Sequence, residues 1–349
     1  FNGTLSAGTG GTLASTIAMD PLSSSDTGGG LFTAISKSNT MTLAGLNTGA
    51  ANLTTNGGNV AQASAFTVTG TLTADTAGGN VVLGDTGNAI HAYAGNAGTG
   101  TVSITNGAAL GLGGITASSL TVDTSAAASG DISQVAGDLT ISGTATFNAG
   151  ANNVTAGSTG SSFNDVGATG AAVDLTAGSL VLDNVTATTL TTHTGAAGSV
   201  SQTAGQTIAA TTVNLNAGSG GVALRDIGAT TLNVTTANGA ITQASGNLAI
   251  TGAATLDAGT ADVTAGSTGS SFGHVGATGG TVDLTAGSLV LDDVTATTLT
   301  THTGAAGSVS QTAGQTIAAT TVNLNAGSGG AALRDIGATT LNVTTANGA

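Results

Sequence analysis

The sequence lacks cysteine, tryptophan and glutamate, and its 349 residues include one proline and three basic residues. Without cysteine there can be no disulfides, thiolate chemistry or cysteine-based zinc sites. Three scattered basic residues cannot supply the clustered contacts that a nucleic-acid backbone needs, so we predict no nucleic-acid partner. Glutamate, lysine and arginine normally fill helix surfaces, and their scarcity argues against a helical bundle.

Long apolar runs are also missing. No stretch approaches the roughly 18 consecutive apolar residues of a membrane span, so we predict no membrane insertion. Hydrophobic residues still make up 40% of the chain, which is enough for a core distributed in small portions and argues against disorder. The chain begins at Phe1 and shows no signal peptide, and we expect a mature protein or a fragment of a longer one.

A long internal repeat occupies the C-terminal part of the chain. Residues 154–240 recur 109 residues later as residues 263–349. The two copies differ at Asn164/Gly273, Asp165/His274, Ala171/Gly280, Ala172/Thr281, Asn184/Asp293 and Val222/Ala331. Residues 132–150 also resemble residues 241–259 at the same shift, so the repeating unit extends back to at least Ile132.

Shorter segments repeat within this unit. They open with Thr and an aliphatic residue at Thr231, Thr255, Thr281, Thr298 and Thr321, with a mean spacing of about 22 residues. In TVNL at Thr212, the two-fold alternation directs Val213 and Leu215 inward and Asn214 outward, as in a half-buried strand. Gly-rich spacers between such segments predict turns.

Short strands, Gly-rich turns and this spacing predict an all-β fold, a right-handed parallel β-helix (β-solenoid) of about 16 coils of roughly 22 residues. Five coils would make one 109-residue unit. We expect residues 1–39 to form an irregular N-terminal portion or cap, and residues 40–349 to form the solenoid. One coil cannot stand alone, because its few inward aliphatic residues do not offset the entropy of ordering the coil.

The segment ITQASGNLAITGAATLDAG (residues 241–259), with NVTTANG before it, resembles the repeats in shafts of large bacterial exoproteins of the filamentous-haemagglutinin, two-partner-secretion type. The resemblance covers roughly residues 52–349 and lies in composition and phasing. It implies an extracellular β-helix at the bacterial cell surface that works as an adhesin stalk or surface fibre. The N-terminal secretion domain of that family is not recognisable in this chain.

Aspartates are the candidate metal ligands. Asp283, Asp292 and Asp293 could form a calcium site, since hard cations bind several carboxylate oxygens. The simpler interpretation is that these residues are solvated side chains beside a turn. We predict no other cofactor.

The four histidines could suggest a metal or acid–base site. His193 and His302 occupy the same repeat position, which five coils would separate by about 24 Å, too far to share an ion. Alternation from Leu190 points His193 outward. We therefore predict solvated surface positions for both, and also for His91 and His274.

Two other functions have some support in the sequence. Arg225–Asp226 and Arg334–Asp335 are the adjacent basic–acidic pairs that a polysaccharide-active β-helix enzyme would use. An ice-binding solenoid is suggested by the Thr-x-Thr pairs Thr67/Thr69, Thr71/Thr73 and Thr192/Thr194. A catalytic site is rarely duplicated with its whole scaffold, and the threonine pairs are sporadic.

We therefore predict a non-enzymatic extracellular structural protein, either a filament subunit or an adhesin shaft. Its expected partner is a second copy of itself, stacked head to tail, because an open coil end exposes unpaired backbone. A host or neighbouring-cell surface is a further expected partner.

Overall fold

The computed structural model describes residues 12–14, 22–25, 30–36 and 40–346. Within these residues the chain forms 31 strands and no helix. This part of the chain accordingly has no helix that could cross a membrane. The chain divides into two compact units, Phe1–Leu175 and Thr176–Ala349.

Strands account for most of the described residues in both units. The strands of the first unit are β1 (Thr12–Ala14), β2 (Leu22–Ser25), β3 (Leu31–Ser36), β4 (Met41–Thr48), β5 (Ala50–Thr55), β6 (Val60–Gln62), β7 (Phe66–Asp75), β8 (Val81–Leu83), β9 (Ala89–Asn96), β10 (Thr101–Thr105), β11 (Leu110–Ala117), β12 (Ser119–Asp123), β13 (Ile132–Gln134), β14 (Leu139–Asn148) and β15 (Val154–Gly157). The unit boundary falls within β16 (Ser162–Ala177). The strands of the second unit are β17 (Leu180–Thr194), β18 (Ser199–Gln202), β19 (Thr207–Ala217), β20 (Gly221–Leu224), β21 (Asp226–Ala229), β22 (Thr231–Thr236), β23 (Ile241–Gln243), β24 (Leu248–Asp257), β25 (Val263–Gly266), β26 (Ser271–Ala286), β27 (Leu289–Thr303), β28 (Ser308–Gln311), β29 (Ile317–Ala326), β30 (Gly330–Ala332) and β31 (Ile336–Thr345).

Neighbouring strands in each unit pair in parallel, and paired residues lie one turn apart in sequence. In the first unit Val81 pairs with Val102, 21 residues later. In the second unit Val282 pairs with Leu299, 17 residues later. Turns therefore differ in length while the strands stay in register. The predicted all-β parallel solenoid of about 16 turns is confirmed.

Aliphatic side chains alternate along the strands and fill the interior of each turn. Val213 and Leu215 are 0% and 1% exposed, as predicted, while Thr212 before them and Asn214 between them are half-buried. Because strands of successive turns lie about 4.8 Å apart, each inward residue packs on the one a turn before it. The core is thus a set of inward columns rather than one central cluster.

Three strand segments make up a turn of the second unit, and we call them faces A, B and C. In β17, residues 180–182 form face A and pair with β18. Residues 185–187 form face B and pair with the start of β19, and residues 189–193 form face C and pair with its end. A glycine-containing turn at residues 195–198 then returns the chain to face A.

The 109-residue repeat spans five turns and about one third of another. On face C, the column that starts at Leu190 continues through Val213, Leu232, Ala254, Val275 and Leu291. Leu299 is the duplicate of Leu190, but it lies eight residues beyond Leu291, on face A and in register with Val282. Equivalent residues of the two copies therefore lie on different faces.

This geometry shows that the predicted five coils per unit were wrong. The prediction assumed that every Thr-aliphatic opening marks the same face. Thr255 lies on face C and pairs with Gly276, where one full turn from Thr255 is complete. Thr281 opens the following segment on face A, so the step from Thr255 to Thr281 covers more than one turn.

Amide side chains fill some inward corners of the first unit. Asn106 is fully buried; its Oδ1 accepts from Ile90 N at 2.9 Å, and its Nδ2 donates to Ala108 O at 2.9 Å. Asn88 Oδ1 likewise accepts from Phe66 N at 2.7 Å. These amides satisfy backbone groups that the turn leaves without a ladder partner.

The predicted cap over residues 1–39 falls largely on residues outside those that the structure describes, and it stays a prediction. Three strands within it are described, β1, β2 and β3. They pair in parallel with β3, β4 and β5 respectively, one turn later in sequence.

Candidate functional site

A ladder of threonine and asparagine side chains lies on the outer side of face C. One column consists of Thr189, Thr212 and Thr231. Beside it, Asn233 Nδ2 donates to Asn214 Oδ1 at 2.9 Å, and Asn214 Nδ2 donates to Thr191 Oγ1 at 3.5 Å. These bonds join three successive turns. Many hydrogen-bond donors and acceptors of this surface are therefore already paired with side chains of the neighbouring turns.

The second copy carries the same ladder on face A. Its threonine column consists of Thr281, Thr298, Thr321 and Thr340. Asn342 Nδ2 donates to Asn323 Oδ1 at 2.8 Å, and Asn323 Nδ2 donates to Thr300 Oγ1 at 3.5 Å. The duplicated surfaces thus face in different directions within the same unit.

Two of the three predicted calcium ligands lie together. Asp292 and Asp293 line a groove of about 260 Å³, which Gln315 also lines. Asp292 Oδ2 contacts His274 Nδ1. Asp293 Oδ1 accepts from Thr316 N at 2.7 Å, so this carboxylate closes a hydrogen bond to the next turn.

The third predicted ligand lies apart from this groove. Asp283 is on face A, and its Oδ1 is 3.5 Å from His302 Nε2. No group of three or more His, Cys, Asp or Glu in the described part of the chain could hold a metal ion. The residues present therefore do not assemble the ligand set that the calcium prediction requires, and calcium binding stays a prediction.

The histidines lie at or near the surface, as predicted. His91 and His193 are exposed. His274 and His302 each face one aspartate, and their side chains are 43% and 47% exposed. Sequence reasoning missed the contact between His274 and Asp292. The signal for it was the difference between the copies, since His274 replaces Asp165 of the first copy.

The Arg–Asp pairs contact the following turn rather than a shared cleft. Arg225 Nη1 donates to Ser245 Oγ at 2.7 Å. Asp226 Oδ1 accepts from Asn247 N at 3.0 Å. Both side chains hold the loop between β23 and β24. Their duplicates, Arg334 and Asp335, are exposed.

Comparison with known proteins identifies a family of repeats. A family model described as repeats of unknown function (DUF5649) matches residues 28–93, 99–169 and 219–278, more than half of the chain. The second and third segments contain the related stretches 132–150 and 241–259. No curated protein and no solved structure matches the chain.

Proposed function

The chain belongs to the DUF5649 family of repeats, and we propose that it is a non-enzymatic extracellular structural protein whose stacked turns form a filament or the shaft of an adhesin. The resemblance of residues 241–259 to shaft repeats of filamentous-haemagglutinin-like exoproteins supports this proposal and the bacterial cell surface as its location. The partner of such a shaft is a further copy of its own repeat.

The rotation between repeat copies carries the proposal. Because one unit spans five turns and about a third, the ladder on face C of the first copy reappears on face A of the second. A surface that recognises one extended ligand needs its binding groups aligned on one face. A spacer has no such requirement, since each added unit contributes length whichever way its surfaces point.

The chemistry of the outer surface supports the same function. The Asn214–Asn233 bond and the Arg225–Ser245 bond both join one turn to the next. Asp293 likewise accepts from the backbone of Thr316 in the next turn. Polar groups paired in this way stabilise the stacking of turns, and few of their donors and acceptors are left to bind a substrate.

Immunogold labelling of native cells tests the proposal. Antibodies raised against the folded chain should label material outside the cell envelope, and negative-stain images should show that this material is fibrous. Labelling confined to the cytoplasm would contradict the proposal. Hydrolysis of a polysaccharide by the purified chain would contradict its non-enzymatic part.

Ice binding remains the second candidate, because the threonines of face A occupy one register position in four successive turns. An ice-binding role requires that this column inhibit ice recrystallisation and that Thr298→Leu and Thr321→Leu abolish the effect. The matched control is Thr212→Leu on face C. The shaft proposal expects no inhibition by the unmodified chain, so activity that depends on face A alone would favour ice binding.

A further inference from the structure

We propose that Asn52, Asn153 and Asn184 are N-glycosylation sites, at which a separate transferase joins a sugar to the side-chain nitrogen Nδ2. This inference rests on the proposed function, because Asn-x-Thr acceptors of this kind belong to secreted proteins. The chain contains Asn-x-Thr sequences that begin at Asn2, Asn52, Asn153, Asn184, Asn233 and Asn342. Asn2 lies outside the described residues, and the structure separates the other five into two groups.

Strand geometry presents both polar residues of three of these sequences on the outer side of a turn. Alternate residues of a strand point to the same side. The middle residues Leu53, Val154 and Val185 point inward and are 1%, 0% and 1% exposed. The asparagine before each of them and the threonine after each of them are exposed. A transferase that recognises Asn-x-Thr therefore meets both side chains on one open surface.

Hydrogen bonds hold two of the three amides by their oxygen. Asn184 Oδ1 accepts from Thr207 N at 3.0 Å, and Asn153 Oδ1 accepts from Ala172 N at 3.1 Å. Neither Nδ2 has a hydrogen-bond partner among the described residues, and the same is true of Nδ2 of Asn52. The bond to the next turn thus orients the amide and leaves its nitrogen available for a sugar.

The asparagines of the polar ladder use the opposite end of the amide. Asn233 is half-buried, and its Nδ2 donates to Asn214 Oδ1 at 2.9 Å. On its other side Asn233 pairs with Thr255 of the next turn. A sugar on Asn233 would have to fit between these two neighbours, whose strands lie about 4.8 Å away. We therefore expect Asn233 to stay unmodified.

The co-substrate is a sugar whose anomeric carbon C1 is bonded to a phosphate oxygen. Nδ2 forms a bond to C1 while the C1–O bond breaks, and the phosphate leaves with the electron pair of that bond. Nδ2 gives up one proton to a base on the transferase, so the product is a neutral glycosylated amide. This chain supplies the acceptor amide and the threonine two residues later.

The duplication supplies a matched control, because Asp293 occupies the position of Asn184 in the second copy. Asp293 Oδ1 accepts from Thr316 N at 2.7 Å, as Asn184 Oδ1 accepts from Thr207 N. Asn184→Asp should therefore keep this bond and the fold while it removes the acceptor nitrogen. The reverse change, Asp293→Asn, completes an Asn-x-Thr sequence with the exposed Thr295 and should add a sugar at position 293.

Mass spectrometry of the protein purified from the cells that produce it tests the proposal. Cleavage before aspartate places Asn52, Asn153, Asn184 and Asn233 on four different peptides. The first three peptides should carry the added mass of a sugar, and the fourth should not. Asn184→Asp should abolish the sugar on its own peptide and leave the sugar on Asn153, with an unchanged circular dichroism spectrum.

An unmodified peptide would overturn the assignment of its own asparagine, and equal modification of Asn233 would overturn the structural argument for all three. Fibres that immunogold labels at the cell surface but that carry no sugar would leave the shaft intact and contradict the glycosylation sites alone. Sugar at these sites without surface fibres would have the opposite meaning. The glycosylation sites would then stand in a protein that is not a shaft.

Discussion

At the scale of single residues, stability depends on contacts between one turn and the next. Val213 pairs with Leu190 on one side and with Leu232 on the other, and all three are fully buried. Burying an aliphatic side chain of this size contributes about 2 kcal/mol. A residue of the last described turn has a neighbour on one side alone, so its contribution is smaller.

The duplicated leucines give a matched test of this argument. Leu232→Ala removes a fully buried side chain and should lower the free energy of unfolding by about 2–5 kcal/mol. Leu341→Ala removes a side chain that is 49% exposed and should cost less than about 1 kcal/mol. Urea unfolding followed by circular dichroism measures both. Equal losses would show that the two leucines have the same environment in solution.

Residue patterns predicted the inward aliphatics but not the inward amides. Alternation around Val213 identified the core because aliphatic and polar residues have opposite preferences for water. Gln202 is buried, and its Nε2 donates to Asp226 O at 2.9 Å. In sequence Gln202 resembles an outward polar residue, since its burial depends on a carbonyl that lies 24 positions later.

At the scale of elements, glycine allows the turns to approach closely. A Cβ atom added at Gly198 would lie 2.0 Å from Gly178 O, in the turn before it. No heavy atom lies within 4 Å of the same addition at Gly228. The two glycines therefore have different roles, although both lie in the second unit.

Alanine substitutions separate these two roles. Gly198→Ala should destabilise the second unit by roughly 1–3 kcal/mol, because the backbones of two turns must move apart. Gly228→Ala should be neutral or stabilise slightly, since it restricts the unfolded chain without a clash. Thermal unfolding by circular dichroism is the measurement. A neutral Gly198→Ala would contradict the close stacking of these turns.

Strand type and spacing were predictable from sequence, but the face on which a segment lies was not. The Thr-aliphatic pattern marks a strand equally well at Thr255 on face C and at Thr281 on face A. Turn length varies because loops differ in size, so counting residues does not locate a corner. The register of a segment is known only when its paired strand is known, as it is for Asp257 and Thr278.

At the scale of the whole molecule, the excess of negative charge opposes folding. The net charge is −14, and there are only three basic residues to offset it. Successive strands are about 4.8 Å apart, below the screening length of about 8–10 Å at physiological ionic strength. Aspartates on neighbouring turns therefore repel one another in the folded chain more than in the extended one.

Added salt should consequently raise the melting temperature. We expect a higher value in 0.3 M than in 0.01 M sodium chloride, measured by circular dichroism. Calcium chloride and magnesium chloride at matched ionic strength should behave alike if screening is the cause. A gain with calcium alone would instead support the predicted ion site, and an unchanged melting temperature in all four solutions would contradict the repulsion argument.

The rotation of the repeat is the central claim, and spin-label distances test it most directly. Ser201 and Thr300 lie in one outward column on face A, five turns apart, through Ala223, Thr242, Thr264 and Asp283. Ser310 is the sequence duplicate of Ser201 and lies on another face. With paired cysteine labels, the 201–300 distance should be about 24 Å and the 201–310 distance several ångströms longer. A 201–310 distance shorter than the 201–300 distance would mean that one repeat spans a whole number of turns. Duplicate residues would then lie on the same face, which would contradict the rotation of the repeat.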